Sequence, residues 1–185
     1  LPASTLRNIG FTERQAYLLT QEAQPKVAHA LNWLAQSDTH HIITYQDPRY
    51  PSLLKQTKQP PLLLFVKGDP QVLAQQQLAM VGSRQPTPTG RKVAQSFAAE
   101  LSQQGYVITS GMARGIDSES HKGALQAGGL TIAVLGHGLE QVYPASNKAL
   151  AQQIAEQGAL VSEYFPDVQA RAEWFPQRNR IVVGL

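Results

Sequence analysis

The 185-residue chain contains no cysteine, and that absence removes disulfide staples, thiolate zinc sites and cysteine nucleophiles together. It fits a reducing compartment, so a cytoplasmic location is expected. Long apolar runs are lacking too. The longest candidate, Leu62–Val66, is five residues, far short of the roughly 18 that a spanning helix needs, and no membrane association is expected. No signal peptide is visible. Charge is sparse, at 16% of residues and a net +3. Such a balance leans toward anionic partners without choosing among nucleic acid, nucleotides or none. The five histidines show no ligand spacing, so no metal site is expected. Neither G-x-G-x-x-G nor a P-loop Gly-Lys-Ser/Thr occurs, and no cofactor is expected.

What is present is globular: 42% of residues are hydrophobic, and they recur with period. Residues 1–40 read as helical. Thr12 and Gln15 form a capping box that opens a helix running toward Ala23. After Pro25, the residues Val27, Ala30, Leu31 and Leu34 fall on one helical face. Residues 41–77 read as a connector packed on the core, with strand-like Ile42–Tyr45 and a proline-rich stretch from Pro48 to Pro61. Six strand-like runs follow: Leu62–Val66, Leu78–Val81, Val107–Thr109, Thr131–Leu135, Ala159–Ser162 and Arg180–Val183. Helical segments separate most of them. Arg91–Gln104 repeats Val93, Phe97 and Leu101 every four residues; Asp117 can cap a helix to Ala127, and Ser146 another to Gln157. Short apolar strands alternating with helices predict an α/β fold with a doubly wound, mostly parallel sheet.

In such a sheet, ligands gather beyond the carboxyl ends of the strands. Four turns there are rich in glycine, small hydroxyls or arginine. The first runs Gly82-Ser83-Arg84 and on to Thr89 and Gly90; the second is Ser110-Gly111-Met112-Ala113-Arg114-Gly115-Ile116-Asp117. Glycine admits a phosphate to the backbone, and the arginine fork suits it. The first serves equally well as a tight strand-to-helix connection, and in the second Asp117 with His121 reads first as a helix cap beside a surface histidine. The third, Gly136-His137-Gly138, with Tyr143-Pro144 beyond, reads as backbone geometry. The fourth is Trp174-Phe175-Pro176-Gln177-Arg178-Asn179-Arg180. An extended backbone there would point Arg178 and Arg180 to one side, beside rings on which bases stack. The alternative is a core phenylalanine with arginines paired to Glu163 or Glu173.

Taken in order, these turns, the pair Asp117…His121, the segment Ser162-Glu163-Tyr164 and the lead-in from Tyr50-Pro51 to Gly68-Asp69 resemble the DprA/Smf family of DNA-processing proteins. The resemblance covers essentially the whole chain and is strongest from Leu78 onward. It implies a Rossmann-like domain at 78–185 that binds single-stranded DNA without enzymatic activity, protects incoming DNA and helps load RecA during natural transformation. It implies that residues 1–40 are part of a small SAM-like helical domain. Gly82, Ser83, Arg84, Thr89, Gly90, Ser110, Gly111, Arg114, Gly115, Asp117, Phe175, Arg178, Asn179 and Arg180 would line the DNA pocket, with Phe175 stacking a base. His137 and Ser120 depart from the family's usual small residues. The chain starts at Leu1 and stops after Ile181-Val182-Val183, so the domain is expected to be cut on its C-terminal side. Homodimer and RecA contacts are then expected largely in a later part. The rival reading is a hydrolase of a nucleoside monophosphate or phosphosugar, with Asp117, His121 and Glu163 as acid–base groups.

Overall fold

The computed structural model describes residues 2–185. They fall into two compact units, one ending at Asp38 and the other spanning Thr39–Leu185. In the first, helix α1 (Ala3–Asn8) is followed by α2 (Glu13–Tyr17), a π-helical turn at Leu18–Glu22 and α3 (Ala23–Ala35). The Thr12–Gln15 capping box is formed: the Thr12 hydroxyl accepts from the Gln15 amide at 3.2 Å, and Gln15 Oε1 accepts from the Thr12 amide at 2.9 Å. The stripe inferred for α3 is displaced. Ala30 and Trp33 are buried, whereas Val27 and Leu31 are exposed.

The second unit is built on a six-stranded sheet in the order β1-β2-β6-β5-β4-β3. Its strands are β1 (His40–Thr44), β2 (Leu63–Gly68), β3 (Gln77–Ala79), β4 (Val107–Ser110), β5 (Thr131–Val134) and β6 (Ala159–Ser162). The run from β3 to β6 is parallel, and β2 joins β6 antiparallel with β1 beyond it. The helices are α4 (Ser52–Lys55), α5 (Pro88–Gln103), α6 (Ile116–Gln126), α7 (Lys148–Gln157) and α8 (Trp174–Gly184). Every residue of β4, β5 and β6 is buried, as strands covered on both faces must be. Successive residues face opposite ways. Val107 enters the core with Leu54, Ile181 and Val182 from α4 and α8, while Ile108 packs with Ala98 and Ala124 from α5 and α6.

Three local expectations are corrected. The apolar run Arg180–Val183 is not a strand but the second half of α8. The α7 cap is Asn147 rather than Ser146, and Asn147 sends its side chain elsewhere. On α5 the buried residues are the small Ala94 and Ala98, while Val93 and Phe97 are 59% and 56% exposed. The cause is the approach of α6: a methyl added to Gly123 would lie 2.2 Å from the Gln95 carbonyl oxygen, leaving room only for alanine between the helices.

Candidate nucleic-acid interface

All four parallel strands deliver their carboxyl ends to one edge of the sheet, where the first two turns lock together. Ser83 O accepts from the Ile116 amide at 3.1 Å. Gly115, at φ +86°, brings its Cα so close that a methyl there would fall 2.2 Å from the same Ser83 oxygen. Only glycine fits that junction without strain. Met112 beside it also has positive φ, 61°, which is costly for a side-chain-bearing residue. It is held there by burial and by Asn147 Nδ2, which donates to the Met112 carbonyl at 2.8 Å and to Ser118 Oγ at 2.9 Å.

Beneath the turns lie two buried groups of opposite charge, Arg178 and Asp117. Arg178 is 4% exposed. Its Nη1 donates to Gly111 O at 2.6 Å and to Val134 O, tying α8 to the ends of β4 and β5. Burial lowers its pKa to about 10, an effect opposed by the Asp117 charge. Asp117 is buried as well, and burial raises its carboxyl pKa. Against that shift work the Ala113 amide, donating at 3.3 Å, the Arg178 charge, and the main-chain amides of Gly82 and Gly111. Asp117 thus sits in the first turn of α6 rather than at its cap, which is Gly115, and it engages turn amides that had been assigned to phosphate.

Above this floor opens a cleft of about 380 Å³ lined by Arg84, Gln85, Gly111, Ala113, Arg114, Tyr143, Pro144 and Phe175. Arg84 and Arg114 are exposed and come from different strand ends. The guanidinium of Arg84 lies 5.8 Å over the Phe175 ring, and Tyr143 stacks with that ring at 5.6 Å between centroids. Phe175 backs onto Gly136, whose added methyl would meet it at 3.0 Å. A smaller hollow of about 160 Å³ adjoins, walled in part by Gly82, Arg84, Phe175 and Asn179.

Other residues singled out in the sequence lie elsewhere. Ser110 is buried and donates to Met80 O at 2.5 Å. Ser83 Oγ accepts from the Gln85 amide at 3.0 Å. Thr89 and Gly90 belong to the first turn of α5, capped by Thr87. Arg180 pairs with Glu163 through two contacts, 2.9 and 2.5 Å, away from the cleft. Arg178 and Arg180 therefore do not share a side, because two residues turn a helix by about 200°. The acid–base candidates of the rival reading are engaged too. His121 is fully buried, with Nδ1 at 2.7 Å from Thr131 Oγ1. That hydroxyl gives its only hydrogen to Ile108 O, so His121 Nδ1–H donates to it; burial, aided by the Arg178 charge, lowers its pKa to about 3 and so favours the neutral ring. Tyr143 and Gln85 were missed as cleft residues; the only signal for Tyr143 was its proximity to the third turn.

Residues 41–185 match the family model described as DNA recombination-mediator protein A. The chain belongs to that family. It is 42% identical to Protein Smf of Escherichia coli over 186 residues, covering all of this chain and 50% of that protein. Among solved structures, DNA processing protein A of Streptococcus pneumoniae is similar at TM-score 0.81 and 34% identity, over 100% of this chain and 63% of that one. The Helicobacter pylori protein, described by its single-stranded DNA binding mode, is similar at TM-score 0.68 and 34% identity, over 72% of this chain and 61% of that one. The chain spans about half the length of the curated relatives it matches. Among the described residues, no helix is long and apolar enough to cross a membrane.

Proposed function

We propose that this chain binds single-stranded DNA in the cleft between the first two turns and α8, holding it without transforming it. The observation that carries this reading is the convergence of Arg84 and Arg114, from separate strand ends, on one opening walled by Phe175 and Tyr143. Guanidinium groups beside aromatic rings suit a flexible strand whose phosphates and bases alternate. The Helicobacter relative, which binds single-stranded DNA, supports the assignment. Arg84 and Arg114 meet phosphates; Phe175 and Tyr143 form the wall against which a base rests. Arg178 and Asp117 hold the floor, and Arg180 serves Glu163. In the whole protein this grip protects incoming DNA in the cytoplasm and presents it to RecA during transformation and recombination. RecA and homodimer contacts lie in the portion of the relatives that this chain does not span.

The test is a fluorescence-anisotropy titration with labelled oligo-dT. For single strands the logarithm of affinity falls by about 0.7 per neutralised phosphate per decade of salt, so two or three phosphates give a slope of about −1.4 to −2.1. Arg84→Ala and Arg114→Ala should each weaken binding by about tenfold or more, and duplex DNA should compete poorly. A flat salt response, or full affinity in both variants, would defeat the assignment.

A further inference from the structure

The first turn of α8 carries two aromatic residues side by side, and each has its own stack. Phe175 belongs to the cleft. Trp174 lies against Tyr164 instead, ring centroids 4.6 Å apart and planes inclined by 18°, with the Arg171 guanidinium 5.0 Å over the indole. Tyr164 follows β6 closely, and its amide donates to Ser162 Oγ at 3.0 Å, so the ring stands on the edge of the rigid sheet. It also borders a second opening of about 390 Å³, whose other walls are Gln59, Glu163, Gln177 and Arg180. None of these residues lines the cleft. Trp174 is not a wall of the opening, whereas Tyr164, half-buried, is.

The chemistry of this opening differs from that of the cleft. Its arginine is spent on Glu163, at 2.9 and 2.5 Å, so the charges inside it offset each other and a bare phosphate gains little. An aromatic side chain in the wall suits a flat π-system. The side-chain amides of Gln59 and Gln177 supply both donors and acceptors, as the edge of a nucleobase requires. The size lies within the range of small-ligand sites. Arg171, exposed at the outer end of the stack, adds positive charge beside it. Phe175 of α8 lines the cleft and Gln177 and Arg180 of the same helix line this opening, so a polymer leaving the cleft over α8 meets it.

We infer that the opening bounded by Tyr164, Gln59 and Gln177 is a second nucleobase subsite, which receives an unpaired base of the same strand on the other side of the first turn of α8. This rests on the cleft being a single-stranded DNA site. The test is the same titration on the 185-residue chain with oligo-dT of increasing length, comparing the parent with Tyr164→Leu and with Gln177→Ala, whose side chain is exposed and leaves the fold intact. Oligonucleotides too short to leave the cleft should bind parent and variants alike. Once length permits both sites, the parent should tighten and Tyr164→Leu should lose at least about fivefold of that affinity, with Gln177→Ala losing a smaller part. If both variants match the parent at every length while Arg84→Ala remains weak, the subsite is refuted and the cleft stands. If the parent binds no oligo-dT at all, both fall.

Discussion

Replacing Arg178 by alanine separates architecture from binding. The guanidinium is 4% exposed, and its loss strips the carbonyls of Gly111 and Val134 of their charged donor. It also removes a nearby positive charge from the buried Asp117 carboxylate, since Arg178 is among the groups that hold that carboxyl in its charged form. Removing one partner of such a buried arrangement costs about 3–5 kcal/mol, a large part of the roughly 5–15 kcal/mol by which domains are stable. With a urea slope of about 2 kcal/mol per molar, the midpoint should fall by about 1.5–2.5 M. Asp117 can relieve part of the cost by taking up a proton, so the deficit should be smaller at pH 5 than at pH 8. The assay is urea unfolding followed by circular dichroism at both pH values, with oligo-dT affinity measured on the folded fraction. An unchanged midpoint together with an affinity as low as that of Arg84→Ala would refute the reasoning: Arg178 would then face the nucleic acid, as an extended backbone would have had it.

Two further outcomes follow from the same interior. His121 ordinarily titrates near 6.5 but is held near 3 by burial, so between these values the unfolded chain binds a proton that the folded one refuses. Stability therefore falls with acid by up to about 1.4 kcal/mol per pH unit. His137, also lowered by burial, adds the same sign, and Asp117, raised by burial, opposes it. The urea midpoint should drop from pH 7 to pH 5, with a shallower drop in His121→Gln; a flat profile in the parent contradicts a neutral buried ring. Gly115→Ala forces a side chain into φ +86° and against Ser83 O, so it should cost roughly 1–3 kcal/mol and weaken oligo-dT binding in the folded fraction, whereas full affinity would mean the two turns need not interlock.

The parts of the fold legible in the sequence were those where local pattern and tertiary burial agree. The apolar runs at 131–135 and 159–162 read as strands because both of their faces are covered. Thr12 announced its helix because a capping box is satisfied within four residues. Legibility ended where a distant partner decided. Ile181 and Val182 are β-branched and suggest a strand, yet Arg178, Ile181 and Val182 share one buried helical face, and burial outweighs propensity. Val93 and Phe97 suggested a core face because large residues usually fill one; Gly123, on another helix, reserved that space for Ala94 and Ala98. Arg84 and Arg114 line the cleft because flexible side chains on glycine turns reach the surface. The same reasoning misplaced Arg178, whose partners lie 67 and 44 residues away in the chain.

Asp117 carries a last consequence. By drawing the amides of Gly82, Gly111 and Ala113 onto its own carboxylate, it acts as an internal counter-ion where other nucleotide folds leave a vacant anion cradle. What the cleft offers above this floor is a pair of exposed guanidinium groups, those of Arg84 and Arg114. If the cleft takes single-stranded DNA as proposed, its phosphates then meet side-chain charge rather than a fixed ring of main-chain amides.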